Sequence, residues 1–455
     1  MGSSQPTHQK PHLKTPIPGP LSQRLRSEED KFLAPGLQGF ALMAGIVVDS
    51  ASGSAVTDVD GNTLLDIIGG IGVNGLGHSH PKFVAAVRSQ VEKASVGSFT
   101  SASRIDLLRR LAKTPPAPAV DRTQLYSSGA EAVESALRLA KCATQKNEFV
   151  SCWGGFHGKT LGALSLMGSS FKHGLGPMAP GSHLIPYADC YRCPLKTEYP
   201  VCGLACVEMG RKQLKNESAG SIAAFIVEPM QGTAGNVIPP DDFLPAIRQL
   251  AREFDALLIA DEMITGFGRT GKYWGVEHSG VQPDIVTIGK QLGGGFPISG
   301  VMARNEIAQA KPWSNPSGSS SSYGGNPLAA QAAATAVRII EEERLVENSC
   351  AVGRYLLEKL MPLTEKYEFI GAVRGRGLFV GIEMVRNRQT KEPLSRKACE
   401  RVFEENLRRG LLTMSYAPSF RIQPSLTIDE ATIDTVVGIL FEAFDSIRET
   451  GAWQL

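Results

Sequence analysis

The chain has 455 residues, with 47 Lys and Arg against 45 Asp and Glu, and 42% of its side chains are hydrophobic. Such a chain buries a large core, which excludes a disordered or fibrous protein. A formal charge of +2 leaves no broad basic face for nucleic acid, and no apolar run approaches the roughly 18 residues of a membrane helix.

Residues 1–20 are polar and carry Pro11, Pro16, Pro18 and Pro20, which predicts a disordered leader. The first 30 residues lack the apolar core of a secretory signal, so the expected location is the cytoplasm. From Ile46, the stretch IVVDSASGSAVTDVDGNTLLDI reads as short strands broken by Ser-Gly and Asp-Gly turns, an antiparallel meander. Residues 21–69 form the N-terminal part of a small domain on this reading. Helical periodicity in Pro81 to Ala94 and Arg104 to Lys113 then opens a larger domain, residues 70–330.

Within that domain, AAFIVEP, ALLIADE and DIVTIGK are apolar runs that each end in a charge. Continuous runs of this kind suit strands of a parallel sheet covered on both faces. Glu228, Asp261 and Lys290 are 33 and 29 residues apart, the length of a βαβ unit of roughly 30, so they fall at adjacent strand ends. Ligands of open α/β sheets bind there. Asp261 is followed by Glu262, and neighbouring side chains on a strand point to opposite faces, so only one acid of the two meets a given ligand.

Upstream, YSSGAEAVESALRLAKCAT opens with Ser128 and has Glu131 three residues on, the spacing of a capping box. Ser128, Gly129 and Ala130 present small side chains and backbone N–H groups at the positive end of that helix, a phosphate-type site. Phe156 and His157 lie in the Gly-rich SCWGGFHGKTLGALS, where a ring can approach a ligand closely. Cys190, Cys193, Cys202 and Cys206 follow with spacing C-x2-C-x8-C-x3-C. Each pair has a zinc-like interval, but the middle gap is short for a finger or ribbon, and reduced thiols in an inserted loop are the preferred reading. Beyond residue 330 the character changes to a long helical pattern, strand-like GLFVGIEMV and further amphipathic helices, a C-terminal small domain of residues 331–455 that shares its core with the meander.

SGAEAVESALRLA, FHGKTLGALS, VEPMQG, DEMITGFGRTG, IGKQLGGGFPISG and YGGNPLAA, in this order, resemble the class III (ω-type) aminotransferases over roughly residues 40–430. The nearest likeness is to the putrescine and 4-aminobutyrate aminotransferases. The resemblance implies fold type I of the enzymes that use pyridoxal 5′-phosphate: α/β, with a mainly parallel seven-stranded sheet in the large domain and a smaller α+β domain from both termini. It implies that Lys290 carries the cofactor as a Schiff base and shuttles a proton, and that Asp261 keeps the pyridine nitrogen protonated. Phe156 would stack on the ring beside His157, Glu228 would be the strand-end acid near it, and Ser128, Gly129 and Ala130 would hold the phosphate.

Ser322 falls where many relatives have a Thr whose hydroxyl reaches the phosphate bound in the neighbouring subunit, which implies a homodimer with shared active sites. Arg421 matches the family's switch arginine for a substrate carboxylate. Three departures concern specificity. Lys159 replaces the Arg of 4-aminobutyrate enzymes, Thr233 replaces the Glu that neutralises the switch arginine, and Ile264 replaces a Gln that bonds the cofactor's phenolic oxygen. The charges favour an ω-amino acid as donor; the FHGKTLGALS likeness favours an amine or diamine, and this second reading is preferred. The expected reaction is ping-pong transfer of an amino group to an oxo acid, pyruvate or 2-oxoglutarate. The alternatives are an amino-acid racemase or epimerase on the same scaffold and a non-catalytic, metal-stabilised interaction protein, against which Lys290 and Asp261 both argue.

Overall fold

The computed structural model describes residues 8–455. The chain forms two compact units, one made of residues up to Val84 together with Glu347–Leu455, the other of Ala85–Val346.

The Ala85–Val346 unit is built on a seven-stranded sheet in the order Arg122–Tyr126, Ser299–Ala303, Ile285–Ile288, Leu257–Asp261, Ile222–Val227, Glu148–Cys152, Ser182–Ile185. Neighbours from Ile285–Ile288 to Ser182–Ile185 are parallel, whereas Ser299–Ala303 runs antiparallel to both of its partners. The apolar runs owe their continuity to burial on both sides. Phe225, Val227 and Leu258 enter one core cluster, and the alternate residues Ala224, Ile226 and Ile259 enter another. The second cluster is closed by the helix Gly129–Thr144 through Ala132, Val133, Ala136 and Leu137. Val227 pairs with Ala260 and Asp261 with Thr287, so the charged ends of the three runs lie side by side.

The helix Pro327–Glu342 belongs to this unit, and the boundary falls at 346/347 rather than at 330. Its buried face is largely Ala, which lets it pack closely on the helix Ala102–Lys113.

The other unit holds the meander, Val48–Ser52, Ala55–Asp58 and Thr63–Asp66, whose last strand pairs in parallel with Leu411–Leu412. Val56, Leu64 and Ile68 from the N-terminal part share a core cluster with Phe403, Leu407 and Leu412. A second sheet joins Ile370–Arg376, Phe379–Asn387 and Ser419–Ile422. Of the residues 1–20 expected to be disordered, His8 onward is ordered, and residues 1–7 lie outside the described residues. His12 makes a backbone bridge to Thr63, Asn62 accepts from the N–H groups of Lys14 and Thr15, and Pro20 opens a helix to Glu29. Proline lacks a donor, so a Pro-rich strand can lie along an edge without leaving N–H groups unmet.

Two helical glycines in this unit test the packing. A Cβ on Gly353 would lie 2.1 Å from the carbonyl carbon of Gly377, whereas one on Gly438, in the helix Glu430–Glu449, meets nothing within 4 Å. Gly438→Ala is expected to stabilise by about 0.5–1 kcal/mol through helix propensity. Gly353→Ala should destabilise by about 1–3 kcal/mol through overpacking. Denaturant unfolding of the two variants checks the opposite signs.

Candidate active site

Asp261 ends its strand with both carboxylate oxygens held. One oxygen is 2.7 Å from His157 Nδ1, and the other accepts from the Thr287 hydroxyl at 3.0 Å and the Met263 N–H at 3.2 Å. All of this lies in the interior, with Asp261, His157 and Thr287 buried. Burial alone would lower the His157 pKa, but the hydrogen bond and charge of Asp261, with the charge of Glu228, hold it above its ordinary 6.5. Glu228 accepts from the Phe156 N–H at 2.9 Å and from the Gly232 N–H at 3.0 Å. Its carboxyl is pushed up by burial and by the Asp261 charge, against the pull of His157 and the two N–H groups.

Glu262 diverges from its neighbour as strand alternation requires. It accepts from the N–H groups of Gly275 and Val276 at 2.9 and 2.8 Å and from the Thr265 hydroxyl, and burial raises it to about 7. It therefore ties down the loop after the strand while Asp261 faces the site.

Lys290 follows Gly289 at the end of Ile285–Ile288 and sits at φ 46°, in the left-handed region that non-glycine residues avoid. Such a conformation costs of order 1–3 kcal/mol and persists only where its surroundings impose it. Here the next residue is locked: Gln291 is buried and donates to the Gly266 carbonyl at 2.9 Å. A Cβ on Gly289 would stand 2.6 Å from Met263 Sδ, so the backbone there packs against the loop that follows Asp261.

Ser128 caps the helix Gly129–Thr144, its hydroxyl accepting from the Glu131 N–H at 3.3 Å, while Glu131 reaches back to the Ser127 N–H at 2.9 Å. The Gly129 and Ala130 N–H groups belong to the first turn, which has no intrahelical acceptors for its donors. Two close approaches bring this helix start to the other parts of the site. A Cβ on Gly129 would meet Met263 Sδ at 3.2 Å, and one on Gly158 would meet Ala130 Cβ at 2.8 Å. The Phe156–Gly158 turn thus lies against the helix start as well as against both acids. Ile264 is buried beside Gly232, where a Cβ would come within 2.9 Å of its Cδ1.

Lys159 stands apart from this group. It is exposed, with its ammonium 5.1 Å from the ring centre of Phe171, and that ring meets Phe156 edge-on at 5.7 Å. Ser322 is exposed in the loop before the helix Pro327–Glu342. Arg421 lies in the other compact unit, in the strand Ser419–Ile422 opposite Gly381, and is partly buried. Thr287 and Met263 were missed in the sequence. Thr287 had a signal, as the one hydroxyl inside the apolar run DIVTIGK; Met263 had none.

The model of the class III aminotransferases matches residues 40–444. The chain belongs to this family. A leucine/methionine racemase of Thermococcus litoralis is 34% identical over 413 residues, 89% of this chain and 92% of that one. The 4-aminobutyrate aminotransferase of Escherichia coli is 33% identical, covering 90% of this chain and 96% of its own. Among solved structures, an (S)-enantioselective ω-transaminase from Thermomicrobium roseum superposes with a TM-score of 0.87 at 32% identity, covering 93% of this chain and 98% of that one. An amine transaminase from an uncultivated Pseudomonas species, solved in its PLP-bound form, gives a TM-score of 0.84 at 30% identity, over 91% and 98%. The protein is therefore a fold type I aminotransferase dependent on pyridoxal 5′-phosphate, and the reading as a non-catalytic interaction protein falls.

The raised imidazole fixes a pH dependence. His157 titrates above 6.5 in the folded chain, so the stability it contributes is fully present below about pH 6.5 and is lost as pH rises through the higher folded value. His157→Asn, which cannot titrate, should lower the melting temperature most below about pH 6.5 and progressively less over the range above it. A gap that stays constant across that range would contradict the charged pair.

Proposed function

We propose that this aminotransferase takes its amino group from an ω-amino compound, a primary amine, diamine or ω-amino acid, and passes it to an oxo acid such as pyruvate or 2-oxoglutarate. What supports the reading is the meeting at one sheet end of Lys290, the buried His157–Asp261 pair and a capped helix start. Pyridoxal 5′-phosphate, when bound, supplies the electron sink for the bond broken at the substrate's Cα. The residues fit it. A phosphate suits the helix start, where small residues leave the N–H groups of Gly129 and Ala130 uncovered. A protonated ring nitrogen suits a carboxylate whose remaining lone pairs are already oriented by His157 and Thr287.

On this reading Lys290 would hold the cofactor covalently, and its amine would also carry the proton at the substrate's Cα. Its left-handed backbone sets the direction of the stem. His157 positions the Asp261 carboxylate through the 2.7 Å contact of its Nδ1. Phe156 covers one ring face, its backbone pinned by Glu228. Ile264 offers an apolar contact where a hydrogen bond to the phenolic oxygen would otherwise form. Lys159, with its ammonium over Phe171, is a weak substrate ligand, which removes the charge argument against a diamine. Arg421 takes the oxo acid's carboxylate, and Ser322 serves the phosphate of a partner subunit in a homodimer with shared sites. A cytoplasmic location accords with the absence, among the described residues, of any helix long and apolar enough to cross a membrane.

A second reading, an amino-acid racemase, is favoured by the likeness to the leucine/methionine racemase and to an alanine/serine racemase of Pyrococcus horikoshii at 31% identity. Incubating single enantiomers of amino acids with and without an oxo acid separates the two. Loss of optical purity without formation of a new amino acid would replace transfer by racemisation.

Purified protein is expected to be yellow, and Lys290→Ala to lose turnover while retaining some cofactor noncovalently; near-normal turnover in that variant would remove the assignment of Lys290. Arg421→Ala is expected to weaken the oxo-acid half-reaction by about 2–5 kcal/mol, the cost of removing one partner of a buried charge pair, and the amine half-reaction far less. Single-turnover measurements of each half check this, and equal losses would make the donor itself a carboxylate held by Arg421.

A further inference from the structure

The four-cysteine loop is absorbed by none of this chemistry. Cys190, Cys193, Cys202 and Cys206 all line one small surface pocket, with Asp189 and Thr197 between them, and all four are free thiols. They stand close enough that Cys190 is influenced by the other three, and Cys206 by Cys202 and Cys193. No group of three or more Cys, His, Asp or Glu side chains among the described residues is gathered at metal-ligand spacing.

Their environments differ in a way that separates one from the rest. Cys193 is partly exposed, with the Thr197 hydroxyl 3.5 Å from its sulfur, and the Lys196 N–H donates to the Cys193 carbonyl at 3.1 Å. Lys196 at φ 55° closes this tight turn beside the sulfur. Against the effect of burial, hydrogen bonding from Thr197 and from the backbone of this turn lowers the Cys193 thiol below its ordinary value. Cys190 is exposed at the rim of the pocket, yet partial burial and the neighbouring thiols push it up to about 11, and burial raises the buried Cys206. The pocket therefore holds one sulfur favoured as thiolate beside Cys190 and Cys206, whose thiols are favoured protonated, the division between an attacking and a resolving cysteine. The loop is anchored at its entry by Tyr187, whose hydroxyl donates to the Glu228 and Pro229 carbonyls at 3.2 Å each.

We infer that Cys193 is a peroxide-reactive modification site, whose oxidised sulfur is captured by a second thiol of the same pocket to close a disulfide within the loop. The Cys193 thiolate attacks one oxygen of hydrogen peroxide, breaking the O–O bond; the leaving hydroxide takes a proton and departs as water, and Cys193 becomes a sulfenic acid. The second thiol then attacks that sulfur, its S–H proton joins the departing hydroxyl, and a second water leaves as the S–S bond forms. Two thiols lose two electrons, and the peroxide gains them.

The test treats the holoenzyme with hydrogen peroxide and follows free thiols and the masses of the loop peptides, readouts independent of transaminase activity. Two of the chain's eight thiols should disappear, with Cys193 linked to Cys190, Cys202 or Cys206 and the loss reversed by dithiothreitol. Cys193→Ser should slow the loss about tenfold or more, the thiolate fraction being what reacts, whereas Cys350→Ser, at an exposed thiol outside the loop, should leave it unchanged. Circular dichroism of Cys193→Ser and of Cys193→Ala confirms that the comparison is between folded chains. An unchanged rate without Cys193, a disulfide formed between chains, or stoichiometric zinc that shields the thiols until a chelator is added would each overturn the proposal.

Discussion

A carboxylate buried beside an imidazole organises the cofactor unit. An ionised Asp261 in the interior, stripped of water and left unpaired, would cost several kcal/mol. His157, Thr287 and the Met263 N–H meet that demand from three directions, and each tie fixes a different piece of chain. Through His157 the Gly-rich turn is bound to the central sheet. Through Thr287 the strand leading to Lys290 is held in register with its neighbour. Glu228 grips the same turn at the Phe156 N–H, so the turn that presents the aromatic ring cannot shift without uncovering two acids at once.

Much of this is legible in the sequence because double-sided burial writes itself as uninterrupted apolar runs, and because a run that ends in a charge has reached the edge of the sheet. Glu228, Asp261 and Lys290 are readable on that ground alone, and Ser128 on the cap spacing. The His157–Asp261 contact is a different kind of fact. It joins residues 104 apart in the chain, and no local pattern distinguishes a histidine aimed at a carboxylate from one in solvent. The backbone of Lys290 is equally silent in the sequence, since a left-handed lysine is imposed by the packing of Gln291 and Gly289 and not by its own preference.

Two boundaries were misplaced for one reason, that composition reports solvation and not attachment. The Pro-rich segment after His8 resembles a free leader, yet it makes a backbone pairing at His12 and feeds Asn62 with two N–H groups. The Ala-rich helix Pro327–Glu342 marks a change in hydropathy but buries its small residues against the Ala102–Lys113 helix, within the cofactor unit.

The reversed direction of Ser299–Ala303 has a consequence for tolerance to change. Because this strand runs against its neighbours, its first residue and not its last lies at the active edge, and the Ser299 hydroxyl donates to the Ser128 carbonyl at 2.6 Å. The separation between the helix start and the lysine strand is thus spanned by one strand width set by backbone pairing, with the side chains free of that duty. Insertions in the loops before Ser299 or after Ala303 leave that ruler intact. A one-residue slip in the pairing of Ser299 with Tyr126 would move the edge by about 3.3 Å and turn every side chain of the strand to the wrong face.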